Sequence, residues 1–133
     1  MTEESVSPPP YDVVIIGGGP AGLTAGMYAA RADLRALAIA GDSTVSQVTV
    51  TDLIENYPGI PEGINGFDLA ERLKKQAVQF GLKTASGDVT AVTAKQWGGK
   101  NGWEVAAGAM RYGARAVIIA TGADWRRLGV PGE

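Results

Sequence analysis

Gly17-Gly18-Gly19-Pro20-Ala21-Gly22 has the spacing G-x-G-x-x-G, a residue pattern that lets a backbone close around a diphosphate. Gly17 permits a tight turn, Gly19 lets the main chain approach a pyrophosphate with no side chain between, and Gly22 allows a helix to lie close against a strand. Pro20 suits the first helical position, where an N–H is not needed. From Ala21 onward the amides at the helix start face the phosphates, where the helix dipole also favours negative charge. The chemistry implied is the holding of a dinucleotide. The 133-residue chain has no Cys and no His, which removes thiol chemistry, the common zinc sites and the usual general base near neutral pH. Reactivity must therefore come from a cofactor, and neither a catalytic residue nor a metal ligand is assigned.

Such a turn works only between a buried strand and a helix, and both are legible. Tyr11 to Ile16 (YDVVII) is a β-branched run stopping at Gly17, the pattern of a strand buried on both faces of a parallel sheet. Pro20 to about Ala32 predicts a helix, with Gly22, Gly26 and Ala29 as a small-residue face toward the sheet. Arg35 to Ala40 (RALAIA) predicts a second parallel strand, completing a βαβ unit. A dinucleotide ribose is held by a carboxylate about 20 residues past the glycines. Asp42 is the nearest acid, and Gly41-Asp42-Ser43 equally fits an ordinary polar turn, so both readings stand. No Arg follows this strand to clamp a 2′-phosphate.

Ser43 to Gly66 is polar, punctuated by Pro and Gly, and long for a connection; little regular structure is expected, and a loop covering a cofactor fits it. Phe67 to Phe80 predicts a second helix with Leu69, Leu73, Ala77 and Phe80 on one stripe and Gly81 as its stop. Leu82-Lys83-Thr84 reads as a third parallel strand. Asp88 to Ala94, Trp103 to Ala107 and Arg111 to Tyr112 read as short antiparallel strands with a turn at Gly98 to Gly102. Ala116 to Ala120 reads as a fully buried strand ending at Thr121-Gly122. Trp97, Trp103 and Trp125 read as packing or edge residues, and Lys74 and Lys75 as a solvated helix face.

Composition narrows the class further. The formal charge is -2, from 12 Lys and Arg against 14 Asp and Glu, so no broad basic face is available for nucleic acid. No run approaches the roughly 18 apolar residues of a membrane span. Residues Met1 to Pro10 lack the apolar stretch of a signal peptide and read as a loose tail, and a cytoplasmic setting is expected.

The glycine turn, Gln47, Thr51-Asp52-Leu53-Ile54-Glu55-Asn56-Tyr57-Pro58-Gly59, Gly66 with its helix, Ala120-Thr121-Gly122-Ala123 and Leu128-Gly129-Val130-Pro131-Gly132-Glu133 together resemble the low-molecular-weight thioredoxin reductases, within the pyridine nucleotide-disulfide oxidoreductase superfamily. The resemblance runs from Tyr11 to Glu133. It implies FAD at the glycine turn, with Gln47 and Asn56 contacting the cofactor from the loop, Val89 near the adenine through its backbone, and Ala120, Thr121 and Gly122 approaching from the last strand. The family commonly has Gly-Gly-Gln where this chain has Val45-Ser46-Gln47. It also implies that an NADPH-binding Rossmann domain with a Cys-x-x-Cys pair, and the segment completing the FAD domain, lie outside residues 11–133.

The expected fold is thus α/β: a Rossmann-like FAD/NAD(P)-binding three-layer arrangement with a parallel sheet and a small antiparallel β-meander. The expected function is the FAD-binding portion of a flavoprotein oxidoreductase passing electrons from NAD(P)H through FAD to a disulfide or other acceptor. Two alternatives stand beside it. One is a non-catalytic dinucleotide-binding or assembly subunit completed by a partner chain. The other is part of a ferredoxin-linked flavin reductase. A partner chain or further domain, and homodimerisation, belong to the same expectation.

Overall fold

A computed structural model describes residues 11–43 and 45–133; the tail expected over Met1 to Pro10 lies outside the described residues. Eight elements follow in order: β1 (Tyr11–Ile16), α1 (Pro20–Arg31), β2 (Ala36–Ala40), α2 (Gly66–Gln79), β3 (Lys83–Ser86), β4 (Val89–Trp97), β5 (Lys100–Ala107) and β6 (Met110–Ile119). They build one six-stranded sheet in the order β3-β2-β1-β6-β5-β4. β1 pairs in parallel with both β2 and β6, and β2 with β3. The β4-β5 and β5-β6 pairs are antiparallel.

The period-two alternation of side chains decides the layers. Val13, Ile15, Ala36 and Ala38 point to one face and share a core with Leu23 and Ala30 of α1, Ala77 of α2 and Leu82. Val14, Ile16, Leu37 and Ile39 point to the other and share a core with Val105, Ala107 and Ala114 of the meander. Both faces of β1 and β2 are therefore covered, by helices on one side and strands on the other, which is why these runs are apolar without alternation. Ala77 is fully buried and Leu69 nearly so, whereas Phe80, expected on the same stripe, is 46% exposed. Its ring instead lies 5.2 Å from the Arg31 guanidinium. Among the described residues no helix is long and apolar enough to cross a membrane.

Four expectations need correcting. Arg111 to Tyr112 and Ala116 to Ala120 are not separate strands but parts of β6, whose first half pairs antiparallel with β5 and whose second half pairs parallel with β1. Nor is the second half fully buried. Ile118 and Ile119 are 38% and 72% exposed, because, among the described residues, 115–119 pair only with β1. Leu82 precedes β3 and packs in the helix-side core rather than opening the strand. The meander turn is shorter than expected: β4 ends at Trp97 and β5 starts at Lys100. Gly98 and Gly99, with φ of 56° and 76°, make the two-residue turn that matches the twist of a hairpin. Trp97 lies across Gly102 and Gly113, where an added Cβ would come within 2.9 and 2.6 Å of its ring, so its packing role holds.

Asp12 ties the sheet together at the N-terminal ends of its strands. It accepts from the Arg35 N–H at 2.8 Å and from Arg35 Nε at 3.4 Å, and its other oxygen lies 3.6 Å from Arg115 Nε. The Arg35 N–H foremost, then the two guanidinium groups, hold the Asp12 carboxyl below its ordinary value of 3.8. A depressed folded pKa gives stability that is complete above the unfolded pKa and is lost as pH falls through the folded one. Asp12→Asn is therefore expected to melt lower than the parent at neutral pH. Thermal unfolding followed from about pH 6 to about pH 2.5 should show the gap closing only below 3.8. Gly66 supplies a second test. An added Cβ there would sit 1.7 Å from the Val48 carbonyl oxygen and 2.8 Å from that of Thr51. Gly66→Ala should lower the urea midpoint at unchanged m, a loss of about 1–3 kcal/mol.

Candidate functional site

The chain leaves β1 between the ends of two neighbours. Gly17 donates to the Ile39 carbonyl at 2.9 Å, and the Ile16 carbonyl accepts from Ala120 N–H at 2.8 Å. Gly17 has φ +129°, and a Cβ on it would lie 2.1 Å from the Ala120 carbonyl oxygen. A Cβ on Gly22 would lie 2.0 Å from the Gly17 carbonyl oxygen, so the small residue is what lets α1 sit on the turn. Gly18, a free position in the motif spacing, is closed too: its Cβ would meet that of Ala40 at 2.6 Å. Gly19 differs from all three. Its φ of -83° suits any residue, and its Cβ position has Ser46 Oγ as the nearest neighbour at 3.9 Å. The open side of the turn is therefore the side above Gly19.

That opening is framed by amides. Gly19 is the N-cap of α1, no side chain caps it, the first turn holds no acid, and Pro20 occupies the start. The first helical hydrogen bond runs from Leu23 N–H to the Gly19 carbonyl at 2.9 Å, which leaves the N–H groups of Ala21 and Gly22 ahead of it. Unpartnered amides at a helix start attract an anion.

The long loop is organised by a relay of hydrogen bonds. Gln47 Nε2 donates to the Ala123 carbonyl at 2.6 Å, Thr51 Oγ1 donates to the Gln47 carbonyl at 2.8 Å, and Gly66 N–H donates to the Thr51 carbonyl at 2.9 Å. The start of α2 is thus connected through Gln47 to the stretch after β6. One isolated bridge, Ile54 with Ile64, is the regular structure found in this loop. Ala120 and Thr121 border Gly17, and Gly122 turns the chain with φ of 71°. Asn56 is exposed in irregular chain, and the hydrogen bonds of the loop join it to no other candidate residue. Val89 opens β4 and packs against the meander-side core.

Asp42 lies exposed just past β2. Its N–H donates to Asp88 Oδ1 at 2.9 Å and the Ser43 N–H donates to the same oxygen at 3.1 Å, while the Ser43 hydroxyl donates to Asp88 Oδ2. These bonds, the Ser43 hydroxyl first, hold the Asp88 carboxyl below the usual carboxylate range. The motif spacing misses Gly18, Ser46, Ala123 and Asp88. Gly87-Asp88 after β3 signals a turn, but nothing local reveals a partner 46 residues away. A shallow depression of about 580 Å³ lies elsewhere, on the meander between Lys95, Gln96, Trp103 and Arg115. Its two cations are already paired, with Glu104 and Asp12.

Residues 11–133 match the family described as pyridine nucleotide-disulphide oxidoreductase. The thioredoxin reductase of Treponema pallidum is 44% identical over 123 residues, covering 92% of this chain and 39% of the relative. That of Bacillus subtilis is 44% identical over 133 residues, covering 100% of this chain and 39% of the relative. The crystal structure of Lactococcus lactis thioredoxin reductase superposes with a TM-score of 0.80 at 37% identity, over 92% of this chain and 39% of that one. The chain thus spans about two fifths of the length of these relatives. A glycine turn seated between the ends of β2 and β6, an α/β sheet with a meander on its second face, and these matches agree, and the chain belongs to the pyridine nucleotide-disulphide oxidoreductase family, with the Rossmann-like fold of the thioredoxin reductases.

Proposed function

We propose that the chain binds FAD, with the diphosphate above Gly19 against the amides of Ala21 and Gly22. Gly17, Gly22 and Pro20 would shape the turn, and Asp42 would hold the adenosine ribose. Val89 would lie by the adenine, and Gln47, Asn56, Ala120, Thr121 and Gly122 would line the flavin side. The observation that carries the reading is the contrast within the motif: a Cβ is shut out at Gly17, Gly18 and Gly22, but at Gly19 it would meet Ser46 Oγ alone, in ordinary contact at 3.9 Å. Packing alone explains the first three glycines. An open, strain-free position with no side chain, at an uncapped helix start without acids, is what a diphosphate requires. When bound, the flavin supplies the redox chemistry, and these residues hold and orient it.

In the whole protein the reading extends to electron transfer from NAD(P)H through this FAD to a disulfide or other acceptor, with the nicotinamide site and the disulfide outside residues 11–133. A second observation bears on how the module is completed. Among the described residues, 115–119 bond only to β1 and present Ile118 and Ile119 beside an open strand edge, which asks for a further parallel strand from the same protein or a partner chain. A chain that elutes as a monomer and binds no apolar dye would remove that need; the expected result is self-association or dye binding, reduced in Ile119→Lys.

The decisive test of the FAD reading separates ligand from fold. Gly19→Val should lower the melting temperature of the chain by no more than about 5 °C, the cost of a poorer N-cap residue, yet weaken FAD binding at least about tenfold in a fluorescence titration. A chain that takes up no FAD, or a Gly19→Val variant that binds it as well as the parent, would overturn the reading.

A further inference from the structure

The bonds made by Asp88 are more than a turn needs. Gly87 N–H already bonds the Ala40 carbonyl at 2.9 Å and closes β3 against the end of β2. Gly87 has φ of +143°, a bend that carries the next residue out over the β2 terminus. There both oxygens of one carboxylate gather the two successive N–H groups of Asp42 and Ser43 and the Ser43 hydroxyl. Two adjacent amides converging on one oxygen fix the direction of the backbone between them, and charge-assisted bonds of this kind are about twice as strong as neutral ones. The residue so fixed is Asp42. The residue following Asp88 is Val89, the start of β4. One carboxylate thus sets the chain after β2 and the turn that leads from β3 into β4, on the opposite strand end from the Asp12 tie.

We propose that Asp88 is a positioning residue for the adenosine half of the dinucleotide, holding the Asp42-Ser43 turn so that Asp42 meets the ribose 2′-hydroxyl. This rests on the FAD reading above. Asp88 itself touches no ligand, since its oxygens are occupied by the turn. Loss of its carboxylate frees the Asp42 backbone, and the ordering of that turn is then charged against ligand binding.

The test uses the whole 133-residue chain and calorimetric titration with FAD, ADP and 2′-deoxy-ADP. The parent is expected to bind FAD and ADP, and to prefer ADP over 2′-deoxy-ADP about tenfold, the worth of one hydrogen bond to a charged group. In Asp88→Ala the preference should vanish, and Asp88→Glu should restore part of it. General damage to the fold would weaken both nucleotides equally and leave their ratio alone. Where Asp88→Ala does not fold, Ser43→Ala keeps both backbone bonds, and its ratio should fall partway. A parent that binds neither FAD nor ADP overturns the FAD reading itself. A parent that binds both but does not discriminate, or an Asp88→Ala variant with the parent's ratio, overturns the role of Asp88 and leaves the FAD reading intact.

Discussion

The structure depends on a close approach of backbone to backbone. The Ala120 carbonyl lies over Gly17 and the Gly17 carbonyl lies under Gly22, each at a distance that would put an added Cβ about 2 Å from an oxygen. β1, α1 and β6 therefore meet at one point, and that point is a turn whose amides face outward. Any side chain on Gly17 or Gly22 would part the strand from the helix or from β6. The same crowding leaves Gly19 as the least enclosed glycine of the turn, with Ser46 Oγ at 3.9 Å from its Cβ position.

Around that point the sheet is closed by different means on its two faces. Helices need a small-residue face to sit close, and Gly22 and Gly26 provide one; the meander needs bulk, and Val105 provides it. Carboxylates tie the strand ends: Asp12 joins β1 to β2 and β6 at one end, and Asp88 joins the β3-β4 turn to the chain after β2 at the other. Both are held ionised by hydrogen bonds from N–H or hydroxyl donors. Their bonds are local and directional, so they fix loops and strand ends while the apolar layers supply the bulk of the cohesion.

β6 shows how one strand of a single sheet can take an antiparallel and then a parallel neighbour. Its first half is the last strand of an antiparallel meander, and its second half is a parallel neighbour of β1. Nothing in the run from Met110 to Ile119 marks the change, because the partner lies in other segments. The sequence reading split this strand in two at Gly113, Ala114 and Arg115, where small and charged residues interrupt the apolar run. The structure carries it through: Ala114 is buried, paired with Tyr11 of β1 on one side and Trp103 of β5 on the other.

From the amino acids alone came β1, α1, β2 and α2 within about two residues at each end, the glycine turn between β1 and α1, and the class of fold. These are local matters: β-branching, helical periodicity, Pro at a helix start and Gly at its end act over a few residues and leave a mark in order. Tertiary structure decided what depends on partners distant in the chain. It set Gly18 against Ala40, Gln47 against Ala123, and the Asp88 carboxylate against the turn after β2. It also left the second half of β6 half-covered. A hydrogen bond between residues dozens of positions apart has no period and no local composition to betray it, and so only the folded chain reveals which polar residue holds which loop.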